Sequence, residues 1–375
     1  MEFEHATNQR RRSASSSIYH RLYSVTGFCS RQSLARDLGL SLPTVYQNLS
    51  KLMEAGLVRD SGEQQATGGR KASGLSIVPG ARMAVGISIM ERQLRFVAAD
   101  LQLNELAYRK TDIEPIGRFS DMGELLSQQL EHFLDKFSID RGRLLGVGIA
   151  LPAVMSSDSR YITAAPTLSL KDTTLEGLTA HIPYPTYVEN DATCGGFAEW
   201  FARSTQKTMA YLSLETGVGG AVLFNGVPYP GENRRSAEFG HMCIEPGGLL
   251  CSCGKRGCLE AYCSTRRIRD TFGVSVEEFF HDLEHNGDYK ALWNNMLRYL
   301  ALGVNNIHLA LDCDVVLGGW LSEYIPPYFS QLKEYAASGN PFGCDAGFLH
   351  LSTRRRHIVP LGAALHFIVR FLEQL

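Results

Sequence analysis

Apolar residues recur at helical spacing at Ile18, Leu22 and Tyr23, with Arg10, Arg11, Arg12 and Arg21 around them, which predicts a first helix from Asn8 to Tyr23. Ser30 then opens a short helix that Gly39 closes. Ser41 opens a third, with Pro43 in its first turn and Gly56 just past its end at Ala55. Two helices joined by Gly39-Leu40-Ser41 make a helix-turn-helix. Leu57-Val58-Arg59 and Leu75 to Val78 read as strands flanking a segment with Gly62, Gly68, Gly69, Arg70, Lys71 and Gly74, a flexible basic wing. Pro79 and Gly80 end that pattern. Beyond them, short apolar runs at 84–89, 94–99 and 144–151 accompany a helical stretch at 122–137. A strand at 187–191, a helix at 192–202 and strands at 209–214, 219–224 and 315–319 follow. This order predicts a two-lobed α/β body, and spacing alone shows no internal repeat.

Candidate chemistry changes the picture at one loop. His241 is followed by Cys251, Cys253 and Cys258, with Ser252, Gly254 and Gly257 leaving the backbone free to curl. One imidazole and three thiolates match the closed tetrahedral set of a structural zinc, one per chain, with Cys243 as the competing ligand. Scattered unpaired thiols or a redox pair are the plainer alternative, but Cys251 and Cys253 are too close for an easy disulfide.

Charge separates the two parts. Residues 1 to 80 carry a net +4 and the remainder −6. A basic head on an acidic body suits a nucleic-acid partner for the head. In such a module the helix opened by Ser41 enters the major groove, so Ser41, Thr44, Tyr46 and Gln47 are the candidate base readers. Arg70 and Lys71 are then candidates for phosphate or the minor groove. A three-helix protein-interaction domain is the other reading of the head. Composition is otherwise ordinary, with 44% hydrophobic and 20% charged residues. No membrane-length apolar run and no secretory signal is evident, and clustered cysteines of odd number fit a reducing compartment, so the expected location is the cytoplasm.

Several motifs together resemble the ROK family, which groups sugar-responsive repressors with bacterial sugar kinases. They are Gly68-Gly69-Arg70, Glu189-Asn190-Asp191, Thr216-Gly217-Val218-Gly219-Gly220, Glu238 with His241, the cysteine loop ending in Glu260, Leu317-Gly318-Gly319 and Leu361-Gly362-Ala363-Ala364. The resemblance covers nearly the whole chain. It implies an N-terminal winged helix-turn-helix at residues 1–79 and an actin-like, sugar-kinase-like body at 80–375. Lobe 1 would span about 80–191 plus a C-terminal helix at 358–375, and lobe 2 about 192–357. It further implies a homodimer or tetramer, and a sugar held in the interlobe cleft by Asn190, Asp191, Glu238, His241 and Glu260. Asp191 would stand at the kinases' general-base position.

Two departures set the chain apart from the kinases. Where they carry an Asp-x-Gly-Gly-Thr phosphate loop, this chain reads Ser88-Ile89-Met90-Glu91-Arg92, and Glu215 stands where the second phosphate loop usually has glycine. Side chains and negative charge in the phosphate path predict no ATP binding and no enzyme activity. Thr167 replaces an asparagine that often contacts sugar, leaving a shorter polar reach. The expected function is a sugar-responsive regulator, in the main a repressor, of carbohydrate metabolism genes. Its partners would be operator DNA and a sugar or sugar phosphate, or a protein inducer, with no membrane. The alternative is an ATP-dependent hexose or amino-sugar kinase with an appended DNA-binding domain.

Overall fold

The computed structural model describes residues 13–25, 27–66, 71–114, 119–203, 207–343, 345–353 and 357–375. Helices Ala14–Ser24, Arg31–Leu38 and Leu42–Glu54 pack around Ile18, Tyr19, Leu34, Val45 and Leu49, all at most 1% exposed. Each is opened by a serine: Ser13, Ser30 and Ser41 accept from the backbone amides of Ser16, Ser33 and Thr44. Gly39 takes the left-handed backbone, φ 64°, that turns the chain between the second and third helices. The wing strands are Val58–Ala66 and Lys71–Ile77, antiparallel and longer than the sequence pattern indicated. Arg70, Gly68 and Gly69 lie outside the described residues, as do Arg10, Arg11 and Arg12.

Two five-stranded sheets form the body. In the first the order is Thr186–Asn190, Leu144–Leu151, Met83–Met90, Gln93–Asp100, Glu105–Asp112. In the second it is Val227–Pro228, Val218–Phe224, Met209–Leu214, Asp314–Gly318, Leu349–Leu351. Numbered by position within its own sheet, each has the same arrangement. Three strands run as an antiparallel meander, and two more are added in parallel beside the first. The body is therefore a topological duplication that residue spacing did not reveal. Equivalent strands share a path and not a sequence: Glu105–Asp112 is a polar edge with a mainly exposed face, whereas its counterpart in the second sheet, Val227–Pro228, is a two-residue strand.

Two helices join the lobes. Asp191–Arg203 follows directly from the first sheet, and Ile358–Glu373 crosses it while lying over the strands Met83–Met90 and Leu144–Leu151. The crossing is close enough that a Cβ on Gly362 would strike the carbonyl of Cys194, and one on Gly86 the carbonyl of Pro360. At the far end of Asp191–Arg203, Glu199 is wholly buried and its carboxylate is held by charged and polar partners. Arg203 Nε donates to it at 2.6 Å, Ser352 Oγ at 2.7 Å and the Thr353 amide at 3.0 Å. Arg203 also donates to the Leu351 carbonyl at 2.8 Å, tying the helix to the edge of the second sheet.

The head is not a loose appendage. Its apolar core is continuous with that of the first lobe, running from Ile18 and Leu22 through Ala99 and Leu101 to Leu361 and Ile368. The Leu101 amide donates to the Pro79 carbonyl at 3.1 Å, and the ring of Tyr23 lies edge-on to Phe201 at 6.3 Å.

Removing a partner from a buried charge network leaves the remainder uncompensated, which costs about 3–5 kcal/mol. Glu199→Ala is expected to destabilise the folded chain by that order, and Glu199→Gln by less, in urea unfolding followed by circular dichroism.

Candidate functional site

The cleft is built where chain geometry brings four segments to one place. Asn190 ends a strand and Asp191 begins the helix that follows it. The Asn190 side chain accepts from the Thr193 amide at 3.0 Å and donates to the Ala153 carbonyl at 3.2 Å; Asp191 Oδ1 accepts from the Ala192 amide at 2.8 Å. Asp191 thus lies at the helix N-terminus with its second oxygen uncommitted among the contacts seen. Burial pushes its carboxyl up to about 6, against the pull of the Ala192 amide, and Glu238 adds repulsion. A Cβ on Gly219 would come within 2.8 Å of Ala192 Cβ, so the turn after Leu214 abuts this point. Val218 donates its amide to Glu260 Oε2 at 3.1 Å, and Gly240, in the short turn Phe239–His241, rests against the Val218 carbonyl. Asp191, Glu238, His241 and Glu260 are in this way gathered around residues 215–219.

A cavity of about 230 Å³ opens beside them, with Asn190, Thr193 and Glu238 on its wall. That is below the roughly 300–1,000 Å³ of sites for drug-sized ligands and suits a small polar molecule. One end holds residues the sequence did not single out for this role. Arg234 NH2 lies 2.9 and 2.7 Å from the two oxygens of Glu189, which also accepts from Tyr187 Oη at 2.8 Å. His366 stacks on Tyr187 at 3.5 Å; burial, then the charge of Arg370, pulls its pKa down to about 4, so it is neutral near pH 7. Arg234 sits in an irregular loop with no recognisable spacing, which is why it escaped notice. Thr167 stands on a short turn, Pro166–Leu168, and its hydroxyl is buried without a hydrogen-bond partner. No described hydrogen bond joins it to the other predicted ligands.

His241, Cys251, Cys253 and Cys258 converge, with one donor atom from each and all four within 4.8 Å of one another. Cys251 Sγ is 3.7 Å from His241 Nδ1, and Cys253 Sγ is 3.7 Å from Cys258 Sγ. Metal–sulfur bonds of about 2.3 Å in a tetrahedron would put the sulfurs about 3.8 Å apart, so the donors fit a tetrahedral ion. Cys243 stays outside the cluster, its sulfur directed to the Arg256 carbonyl at 3.9 Å. His241 turns its other nitrogen, Nε2, towards Glu238 at 3.9 Å, on the cleft side.

On the head, Tyr46 and Gln47 are exposed on the third helix and available to a partner. Ser41 and Thr44 are partly engaged with each other: their hydroxyls lie 2.7 Å apart and Ser41 caps the helix. Arg31, unread in the sequence, lies over the Tyr46 ring at 5.6 Å and so adds a cation to the same surface. Lys71 begins a wing strand, while Arg70 is outside the described residues. Among the described residues no helix is long and apolar enough to cross a membrane.

Comparison with known proteins follows the same division. A winged helix-turn-helix DNA-binding model matches residues 21–59, and the ROK family model matches residues 85–344. The xylose repressor of Bacillus subtilis (strain 168) is 28% identical over 323 residues, covering 82% of this chain and 83% of that one. The N-acetyl-D-glucosamine kinase of Shigella boydii serotype 4 is 32% identical over 214 residues, 50% of this chain and 69% of that one. Among solved structures, a ROK family transcriptional regulator that is a homologue of the E. coli MLC protein superposes with a TM-score of 0.76. It has 20% identity and covers 96% of each chain. Fold and site together define a winged-helix protein with a sugar-kinase-like α/β body. The chain belongs to the ROK family, and is related to both its sugar kinases and its sugar repressors.

Two outcomes follow. Metal analysis of the full chain is expected to find about one divalent ion per chain, and Cys253→Ser to lower both metal content and the melting midpoint, because binding to the folded state is folding free energy. Asp191, raised from 3.8 to about 6 by burial, favours the folded state fully only below pH 3.8 and loses that contribution as pH rises through 6. Asp191→Asn should therefore exceed the parent in stability by up to about 3 kcal/mol at pH 8, with the gap falling by roughly half at pH 5, in denaturant titrations across pH.

Proposed function

We propose that this protein is a sugar-responsive DNA-binding transcriptional regulator of carbohydrate metabolism genes, acting as a repressor, with its effector in the interlobe cleft and no phosphoryl transfer. The observation that carries this reading is the shared apolar core of the head and first lobe, which makes the DNA-reading helices part of the same body as the cleft. Helix Asp191–Arg203 runs between the two functions. Its first residue faces the cleft, and Phe201, near its end, meets Tyr23 of the head. A ligand that binds one lobe arrangement more tightly than the other would move this helix and with it the head; equal affinity for both would shift nothing.

A structural zinc on His241, Cys251, Cys253 and Cys258 belongs to this reading. The ion would supply no reaction step. It would fix the His241 ring so that Nε2–H points into the cleft as a donor, with Glu238 beside it. The sugar would then meet Asn190, Asp191, Glu238, His241 and Glu260, with the orphaned Thr167 hydroxyl as a further contact. Loss of ATP binding is supported by local backbone geometry. Ser88 to Met90 belong to a strand whose hairpin turns in two residues, Glu91 and Arg92, with Met90 paired to Gln93. A two-residue turn offers few free amides for phosphate. Tyr46 and Gln47 would read base edges from the major groove, and a homodimer would present two such helices to an operator.

A sugar kinase with a DNA-binding head is the second reading. Asp191 favours it: a carboxyl near 6 at a helix N-terminus beside a small cavity is suited to taking a hydroxyl proton. Kinases are also among the relatives.

The deciding experiment pairs a mobility shift, using DNA from promoters near the protein's own gene with and without sugars, with a phosphoryl-transfer assay on the same preparation. Release of DNA by a sugar without product formation is expected, and Gln47→Ala should weaken operator binding by about 1–3 kcal/mol. Turnover of ATP with a hexose or amino sugar, in the absence of any specific shift, would reverse the ranking.

A further inference from the structure

Cys243 is the sulfur of the cysteine loop that the metal cluster does not use. It is exposed, and the other exposed cysteine among the described residues, Cys253, is a donor of that cluster. Across the loop Cys243 faces a second donor. An isolated antiparallel bridge pairs it with Cys258. The Ile244 amide donates to the Gly257 carbonyl at 2.8 Å, and the Leu259 amide to the Met242 carbonyl at 2.9 Å. These bonds run between the neighbours of the two cysteines, which makes Cys243 and Cys258 a non-hydrogen-bonded pair. Such a pair holds its α-carbons about 4.5 Å apart with both side chains on one face. A disulfide spans α-carbons about 4.4–6.8 Å apart, so rotation of the Cys243 side chain is enough to join the sulfurs. Glycine at 257 leaves the space: a Cβ there would stand 3.2 Å from Cys243 Sγ.

The two sulfurs differ in their surroundings. Cys258 is 1% exposed, and a metal on the cluster would keep its sulfur as a thiolate, the form that acts as a nucleophile. Cys243 is open to solvent, its sulfur pointing at the Arg256 carbonyl from 3.9 Å. An accessible sulfur beside a second that can resolve it is the arrangement of oxidant-sensing cysteines.

We propose that Cys243 is an oxidative modification site, at which hydrogen peroxide drives a disulfide with Cys258 and withdraws that donor from the metal cluster. Cys243 gives its proton to water, and its sulfur attacks one oxygen of the peroxide. The O–O bond breaks, leaving Cys243 as a sulfenic acid and a hydroxide that takes up the proton. The Cys258 thiolate then attacks the Cys243 sulfur; the S–O bond breaks, the S–S bond forms, and the departing hydroxide is protonated by solvent. Each sulfur gives up one electron, the peroxide takes both, and the cluster is left with three donors. A thiol reductant reverses the bond by exchange. Cys243 stands two residues after His241 and Cys258 two before Glu260, so the loop that loosens carries two of the residues predicted to meet the sugar. The inference rests on a metal at the four donors and goes beyond the regulator reading, which stands without it.

The test is peroxide treatment of the full zinc-loaded chain, with released zinc followed by a chromogenic chelator and cysteine pairing mapped by peptide mass spectrometry without reduction. A Cys243–Cys258 crosslink is expected to accumulate in step with zinc release, and dithiothreitol with added zinc to restore the starting state. Cys243→Ser leaves the four donors in place; it is expected to keep the parent's zinc content and to slow peroxide-driven release about tenfold. Release from Cys243→Ser at the parent rate would overturn the proposal. So would a Cys253–Cys258 pair in place of the expected one, those sulfurs being 3.7 Å apart, or zinc and free thiols that persist in excess peroxide. A purified chain that takes up no zinc would remove the metal reading and this inference with it, leaving the sugar-responsive reading intact. Because the pairing is mapped on the unmodified chain, that result stands even if the variant folds poorly.

Discussion

Close contact between helices Asp191–Arg203 and Ile358–Glu373 is the constraint on which the rest of the structure depends. Glycine at position 362 lets one helix backbone approach the other at Cys194, where any side chain would force them apart. That approach seats the pair against the first sheet, while Glu199, Arg203, Ser352 and Thr353 fasten the far end to the second. With both ends held, Asp191 has one place to be. The helix that orients the cleft carboxylate is the same one that meets the DNA-binding head, so geometry at one is not independent of geometry at the other.

Polar groups are buried around the cleft at a cost. Asp191 and Glu215 both resist ionisation because protein replaces the water that would solvate them, and Glu238 is pushed the same way by burial and by Glu260. Three buried hydroxyls, on Thr167, Tyr211 and Ser213, lack partners. Such groups lower the stability of the folded protein. A metal on the neighbouring cysteine cluster would contribute stiffness of another kind, since a loop held at four points would present His241 at a fixed angle.

Much of this was legible from residue order, and the exceptions have identifiable causes. Serine caps and Gly39 marked the head's helices to within a residue or two, because capping is local chemistry. The predicted start of the first helix, at Asn8, lies outside the described residues, and the described helix runs from Ala14 to Ser24. The spacing of His241, Cys251, Cys253 and Cys258 announced a cluster because four ligands of one ion must meet in a short loop. Glu105–Asp112 gave no signal, since an edge strand with one face in water lacks the apolar run of its neighbours. The matching strand order of the two sheets was invisible for a deeper reason: topology is carried by hydrogen bonding between distant segments, and many sequences satisfy one path. Arg234 and Arg31 were missed because nothing local distinguishes an arginine that finds a partner across the fold from one that points to solvent.

The continuity of the head's core with Leu361 and Ile368 bears on how the molecule is made. Synthesis proceeds from the amino end, so the three small helices and their wing emerge from the ribosome long before the segment they dock against. Until Ile358–Glu373 arrives, the apolar core that joins head to body has Ala99, Leu101 and Phe201 but lacks Leu361, Ile368 and Leu372. Completion of the core between head and body is thus among the late events in the birth of the chain.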